Sequence, residues 1–148
     1  MQLPEGVKVT AVQGEPGDAE RTVWALDCDG ADGLERAVLD QVCSPHAGKA
    51  VTTDDSLGQL ATMSTIAGNY EIREPSRWTQ LASQRAYLTE GVRGEDVLIT
   101  HWLVGSGDAL VSIRFERLAG APIERGVLDA IEHMRLSCGP IATVAVEG

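Results

Sequence analysis

LDCDGADGLE, Leu26 to Glu35, sets three aspartates among two glycines and so raises the question of a calcium loop. An EF-hand loop needs the pattern D-x-[DN]-x-[DN]-G-x-x-x-x-x-E, which places six oxygen ligands around the ion. Counted from Asp27, the third position is Asp29, but Ala31, Asp32 and Val38 stand where an acid or amide, the glycine and the closing glutamate belong. Counted from Asp29, Ala31 and Gly33 occupy the next two ligand positions, so that register fails as well. The stretch does satisfy a helix start, with Asp32 as N-cap and Glu35 three residues on in a capping box, both acids at the positive end of the dipole. Leu34, Ala37, Val38, Leu39 and Val42 supply an apolar stripe at helical spacing, and Pro45 restrains Ser44. A helix from Asp32 to Val42 or Cys43 is the expectation.

Upstream, VKVTAV (Val7–Val12) alternates and RTVWALD (Arg21–Asp27) is β-branched and aromatic. The Gly, Pro and acid-rich stretch between them makes the pair a hairpin. Downstream, SPHAGKAVTTDDS reads as loop, and His46 in it as a solvated side chain. LGQLATMSTI (Leu57–Ile66) suits a strand or a short helix, whereas NYEIRE alternates. Two strands turning near Gly68 and Asn69 are expected there. Pro75 and Ser76 then break the pattern before Trp78 and Leu81.

The C-terminal half carries the clearest signal. QRAYLTEGV (Gln84–Val92), DVLITHWLV (Asp96–Val104) and ALVSIRFER (Ala109–Arg117) are strand-length runs joined by short glycine-bearing turns, a meander. In the third run Val111, Ile113 and Phe115 oppose Ser112, Arg114 and Glu116, one buried and one solvated face. Both faces of the second run are apolar, which places it centrally. APIERGVLDAIEHMRLSCGP predicts a closing helix with Val127, Leu128, Ile131 and Met134 inward, and residues 139–148 form an edge strand or a tail. The sum is one α+β domain over residues 1–148: an antiparallel sheet, made of the meander and the N-terminal hairpin, flanked by two main helices.

Composition narrows the function. Twelve Lys and Arg against 22 Asp and Glu leave a net charge of −10, which repels nucleic acid and anionic lipid. A basic protein partner suits that charge. Cys28, Cys43 and Cys138 are odd in number and lack C-x-x-C spacing, so buried thiols in a reducing cytosol are expected, with neither a disulfide framework nor a zinc site. No basic and apolar leader opens the chain and no apolar run approaches the ~20 residues of a membrane helix, so a cytoplasmic protein is expected.

Reactive constellations are few. GSGD (Gly105–Asp108) precedes a strand and has no lysine, so it reads as a hairpin turn and not a phosphate loop. His101 lies in phase with Val97, Ile99 and Leu103, and no nucleophile elbow, H-E-x-x-H or Cys/His signature accompanies it. It reads as a structural histidine, as does His133, which sits near a helix C-terminus. Trp78 and Trp102 are the candidate binding residues, weighed against core packing. Arg73, Arg77, Arg85 and Arg93 offer a basic patch with acids close by. No metal, cofactor or catalytic residue is implied.

SQRAYLTEG, DVLITHWLVGSGDALVSIRFE and the helix ending AIEHMRLSC, with the early strand pair, resemble the PsbP-like and DcrB-like superfamily in strand and helix order. That resemblance implies an antiparallel sheet flanked by helices and a non-enzymatic role as accessory protein or chaperone for secreted bacterial effectors; it transfers no functional residue. The expectation is a non-enzymatic cytoplasmic protein-binding module, of accessory or secretion-chaperone type. The alternatives are a toxin-neutralising (immunity) protein and a small enzyme using His101 with a spatially adjacent acid or thiol.

Overall fold

Seven strands hydrogen-bond into one wholly antiparallel sheet in the order β1-β2-β3-β7-β6-β5-β4. They are β1 (Val7–Glu15), β2 (Glu20–Gly30), β3 (Gly33–Ser44), β4 (Glu71–Leu81), β5 (Gln84–Arg93), β6 (Val97–Ser106) and β7 (Ala109–Leu118), followed by one helix, α1 (Ile123–Glu132). The computed structural model describes residues 7–15, 20–30, 33–44, 62–63, 65–66, 68–81, 84–106, 109–118 and 123–133.

The strand register sorts side chains onto two faces, because successive residues of a strand point opposite ways. Trp24, Leu39 and Phe115 stand in register across β2, β3 and β7, and Trp102 of β6, opposite Ile113, shares their face. Val127 and Ile131 of α1 join that cluster, both fully buried, with Leu128 packed at its margin. Their spacing is the helical stripe anticipated from the sequence; Met134, the fourth residue of that stripe, lies outside the described residues. At ~1.5–3 kcal/mol for each large apolar side chain buried, this helix-covered layer is the main source of stability.

The expected α+β domain with two main helices is corrected by this architecture. The stretch from Gly33 to Cys43 is strand and not helix: Gly30 pairs with Gly33, and β3 runs antiparallel to β2 as far as Cys43 opposite Glu20, while Asp32, the expected N-cap, lies outside the described residues. Among the described residues the fold is predominantly β, with one short helix after the sheet. The helical reading failed because β3 is interior to the sheet and buried on both faces. Ala37 and Leu39 pack beneath α1 and Cys43 is buried on the same face of the sheet, while Asp40 is buried on the other side with Val38 and Val42 beside it. With apolar residues on both sides, the two-residue alternation is hidden and the run fits a helical stripe equally well.

Two smaller corrections follow from the edge of the sheet. Residues 62–63, 65–66 and 68 are helical and not strand. The turn near Gly68 and Asn69 does exist: Asn69 adopts φ 54° and its N–H donates to the carbonyl of Ile66. β4 also passes through Pro75 without stopping, its register slipping between Ile72 and Glu74 and again between Glu74 and Arg77. An edge strand with bulges is where a residue lacking an N–H is tolerated.

Cys43 is disulfide-bonded, which overturns the expectation of reduced thiols. Among the described residues, no helix is long and apolar enough to cross a membrane.

Candidate functional site

The face away from α1 carries a ladder of charges. Arg21 of β2 grips Asp40 of β3 through both ends of its fork, Nε to Oδ1 at 3.0 Å and Nη2 to Oδ2 at 2.7 Å. Arg114 of β7 donates from Nη2 to the same Oδ2 at 2.7 Å, and from Nε to Glu116 at 3.2 Å. Arg93 of β5 pairs with the other oxygen of Glu116 and donates to the carbonyls of Gly68 and Asn69. Charge-assisted bonds of this kind are the strong ones, and a buried carboxylate is held ionised only by such partners. Asp40 is buried, and its bond raises the Arg21 pKa above the ordinary guanidinium value.

Gly68 and Gly91 let the chain close over one end of the ladder. A Cβ on Gly68 would lie 2.6 Å from Arg114 Nη1, and one on Gly91 would lie 2.5 Å from the carbonyl oxygen of Glu71. The buried Tyr70 ring packs against both positions.

His101 of β6 sits on this face, opposite Arg114 on one side and Thr89 on the other. It is 3 % exposed, and its Nδ1 has no hydrogen-bond partner. Burial, reinforced by the Arg114 charge and opposed by Asp40, lowers its pKa from 6.5 to about 4. The ring is therefore neutral at pH 7. An unmatched buried polar atom costs about 1–3 kcal/mol, so it calls for an explanation.

His101 also lines a cavity of about 380 Å³. Arg21, Asp40, Ser112 and Arg114 form its polar part, and Val42, Leu103, Leu110 and Met63 its apolar part. A volume of that order lies within the ~300–1,000 Å³ range of small-molecule sites, and an apolar wall with few convergent polar groups is their usual lining. Met63 is 63 % exposed and Ile66, on the same helical segment, 76 %, so apolar surface continues beyond the cavity.

The chemistry open to these groups is binding more than reaction. Both oxygens of Asp40 are engaged by guanidiniums, so neither orients the imidazole as a general base requires. Of the two thiols that could serve, Cys28 and Cys43, Cys43 is disulfide-bonded and lies on the face opposite His101. Among the described residues, no three His, Cys, Asp or Glu side chains converge as a metal site would require.

The two tryptophans singled out from the sequence do not share a surface. Trp102 is buried under α1, whereas Trp78 is half-buried on edge strand β4, on the cavity face. Trp78 meets Tyr87 edge to face at 5.4 Å, and the Arg85 guanidinium stacks over its indole at 3.8 Å. Trp78 and Tyr87 pack on Leu103 and Leu110, the apolar part of the cavity wall. The arginines suspected of forming a patch are dispersed: Arg77 pairs with Glu74 and Glu90, Arg85 stacks on Trp78, and Arg93 belongs to the ladder. His133 follows the end of α1, exposed, and its pKa is raised by the hydrogen bond to the Asp129 carbonyl. His46 lies outside the described residues.

Asp40, Arg21 and Arg114 were missed as site residues. The available signal was Asp40 itself, a charge in the middle of the apolar run AVLDQVC. Comparison with protein-family models, curated proteins and solved structures finds no match to the chain.

Proposed function

We propose that this chain is a non-enzymatic binding protein whose binding element is the cavity around His101. One observation carries the reading: a cavity of about 380 Å³ joins an apolar wall of Val42, Leu103, Leu110 and Met63 to a polar end formed by His101, Arg21 and Arg114. The occupant covers Leu103, Leu110 and Met63 and places its polar group beside Arg21 and Arg114. The small-enzyme alternative has one observation in its favour, that an acid and an imidazole share the cavity. Against it, the acid is committed to Arg21 and Arg114, and a group titrating near 4 is a weak base at neutral pH.

The compartment we propose is oxidising, in place of the reducing cytosol anticipated from the cysteine count. The disulfide at Cys43 supports this, since such bonds rarely persist where thiols are kept reduced.

The test is titration with anilinonaphthalene sulfonate, a fluorescent aromatic sulfonate that brightens in apolar sites. Saturable one-to-one binding by the folded protein, lost in a Leu110→Trp variant that fills the cavity, is the expected result. Equal binding by that variant, or none by the native chain, defeats the proposal.

A further inference from the structure

We infer that the cavity's occupant is an apolar molecule with an anionic head, of the alkyl carboxylate class, its oxygens accepting hydrogen bonds from Arg21. The inference rests on the binding reading above and adds the chemistry of the ligand.

Three observations point the same way. The ladder sets three guanidiniums, Arg21, Arg93 and Arg114, against two carboxylates, Asp40 and Glu116, so among these side chains one positive charge is left over. In a chain of net charge −10 this local surplus stands out, and it lies against the cavity. Second, donors remain unspent there. Arg21 uses Nε and Nη2 on Asp40, and among the described residues nothing accepts from its Nη1. Planar guanidinium donors suit a carboxylate better than a hydroxyl, because both oxygens can accept. Third, Val42, Leu103 and Leu110 lead away from that end towards exposed Met63, giving the tail an apolar bed that reaches solvent.

A cationic head would meet Arg21 and Arg114 and be repelled. An alcohol would gain the tail contacts but only part of the head contacts.

The experiment is isothermal titration calorimetry of the full chain with decanoate, decanol and decyltrimethylammonium, below their aggregation concentrations. Decanoate is expected to bind one to one, decanol at least ten-fold more weakly, and the ammonium not at all. Arg21→Gln, at a half-exposed position, is expected to weaken decanoate about ten-fold and leave decanol unchanged. Decanol binding as tightly as decanoate, or Arg21→Gln weakening both alike, overturns the anionic head and leaves the cavity reading standing. If neither chain compound nor the fluorescent sulfonate binds, both fall together.

Discussion

His101 stands directly opposite Arg114 across the β6–β7 ladder, both on the face turned away from α1. A cation fixed beside a buried imidazole disfavours its protonation, and burial disfavours it more. The folded chain therefore keeps His101 neutral down to about pH 4, whereas the unfolded chain takes up the proton near 6.5. Between those values the unfolded state binds more protons, so stability falls as pH falls from about 7.5 and levels off below 4. The full loss is roughly 3 kcal/mol at ~1.4 kcal/mol per pKa unit. Urea unfolding at pH 7.5 and 5.5 is the measurement, and His101→Gln is expected to flatten the difference between them. The exposed His133, its pKa raised, works in the opposite sense and is shared by both proteins.

Asp40 is the hub of the ladder, and the cost of removing a partner depends on burial. Asp40→Ala strands Arg114, whose side chain is 15 % exposed, and is expected to cost about 3–5 kcal/mol. Arg21→Ala removes a partner that is 47 % exposed and is expected to cost less than about 1 kcal/mol. Denaturant melts of the two variants give the comparison; equal losses would show that Arg21 is held as tightly as Arg114.

Much of the sheet was readable in the sequence and its middle was not. β5, β6 and β7 were delimited nearly to the residue because glycine-bearing turns punctuate them and β7 alternates cleanly. β3 was not, because a strand buried on both sides loses its alternation, and Leu34 through Val42 then fit a helical stripe. Pro75 suggested an interruption where an edge strand could absorb it. His101 was visible as a lone imidazole in a central strand. Its neighbours were not, because Asp40 reaches Arg21 across 19 positions of chain and Arg114 across 74. Pairings over such distances leave no local spacing to recognise.

Gly91 has no room for a side chain. Gly91→Ala would press a methyl onto the Glu71 carbonyl and the Tyr70 ring, the first a backbone atom unable to rotate away. A loss of about 1–3 kcal/mol is expected. Tyr70→Ala in the same background relieves only the ring contact, so thermal melting should show partial recovery at most. Full recovery would mean that the β4–β5 backbone can part at this point.

The disulfide at Cys43 has a definable partner among the remaining two cysteines. Cys28 faces Glu35 and Cys43 faces Glu20, near opposite ends of the β2–β3 pairing. At ~3.3 Å per residue their Cα atoms are separated by roughly 25 Å, well beyond the ~7 Å a disulfide spans. Peptide mapping without reduction is expected to recover Cys43 joined to Cys138, and reduction to lower stability by about 2–5 kcal/mol. A Cys28–Cys43 peptide would contradict the β2–β3 register.

The strand order carries a kinetic consequence. β1 to β3 and β4 to β7 are each chains of sequential neighbours, and among the described strands only the β3–β7 seam joins partners distant in sequence. Each half can zip from its own hairpins at little entropic expense, while the seam waits for a long loop to close. The seam thus holds the rate-determining encounter, and replacements along it, as at Ile113 or Leu39, will slow refolding where equal insults at the β1 rim mainly hasten unfolding.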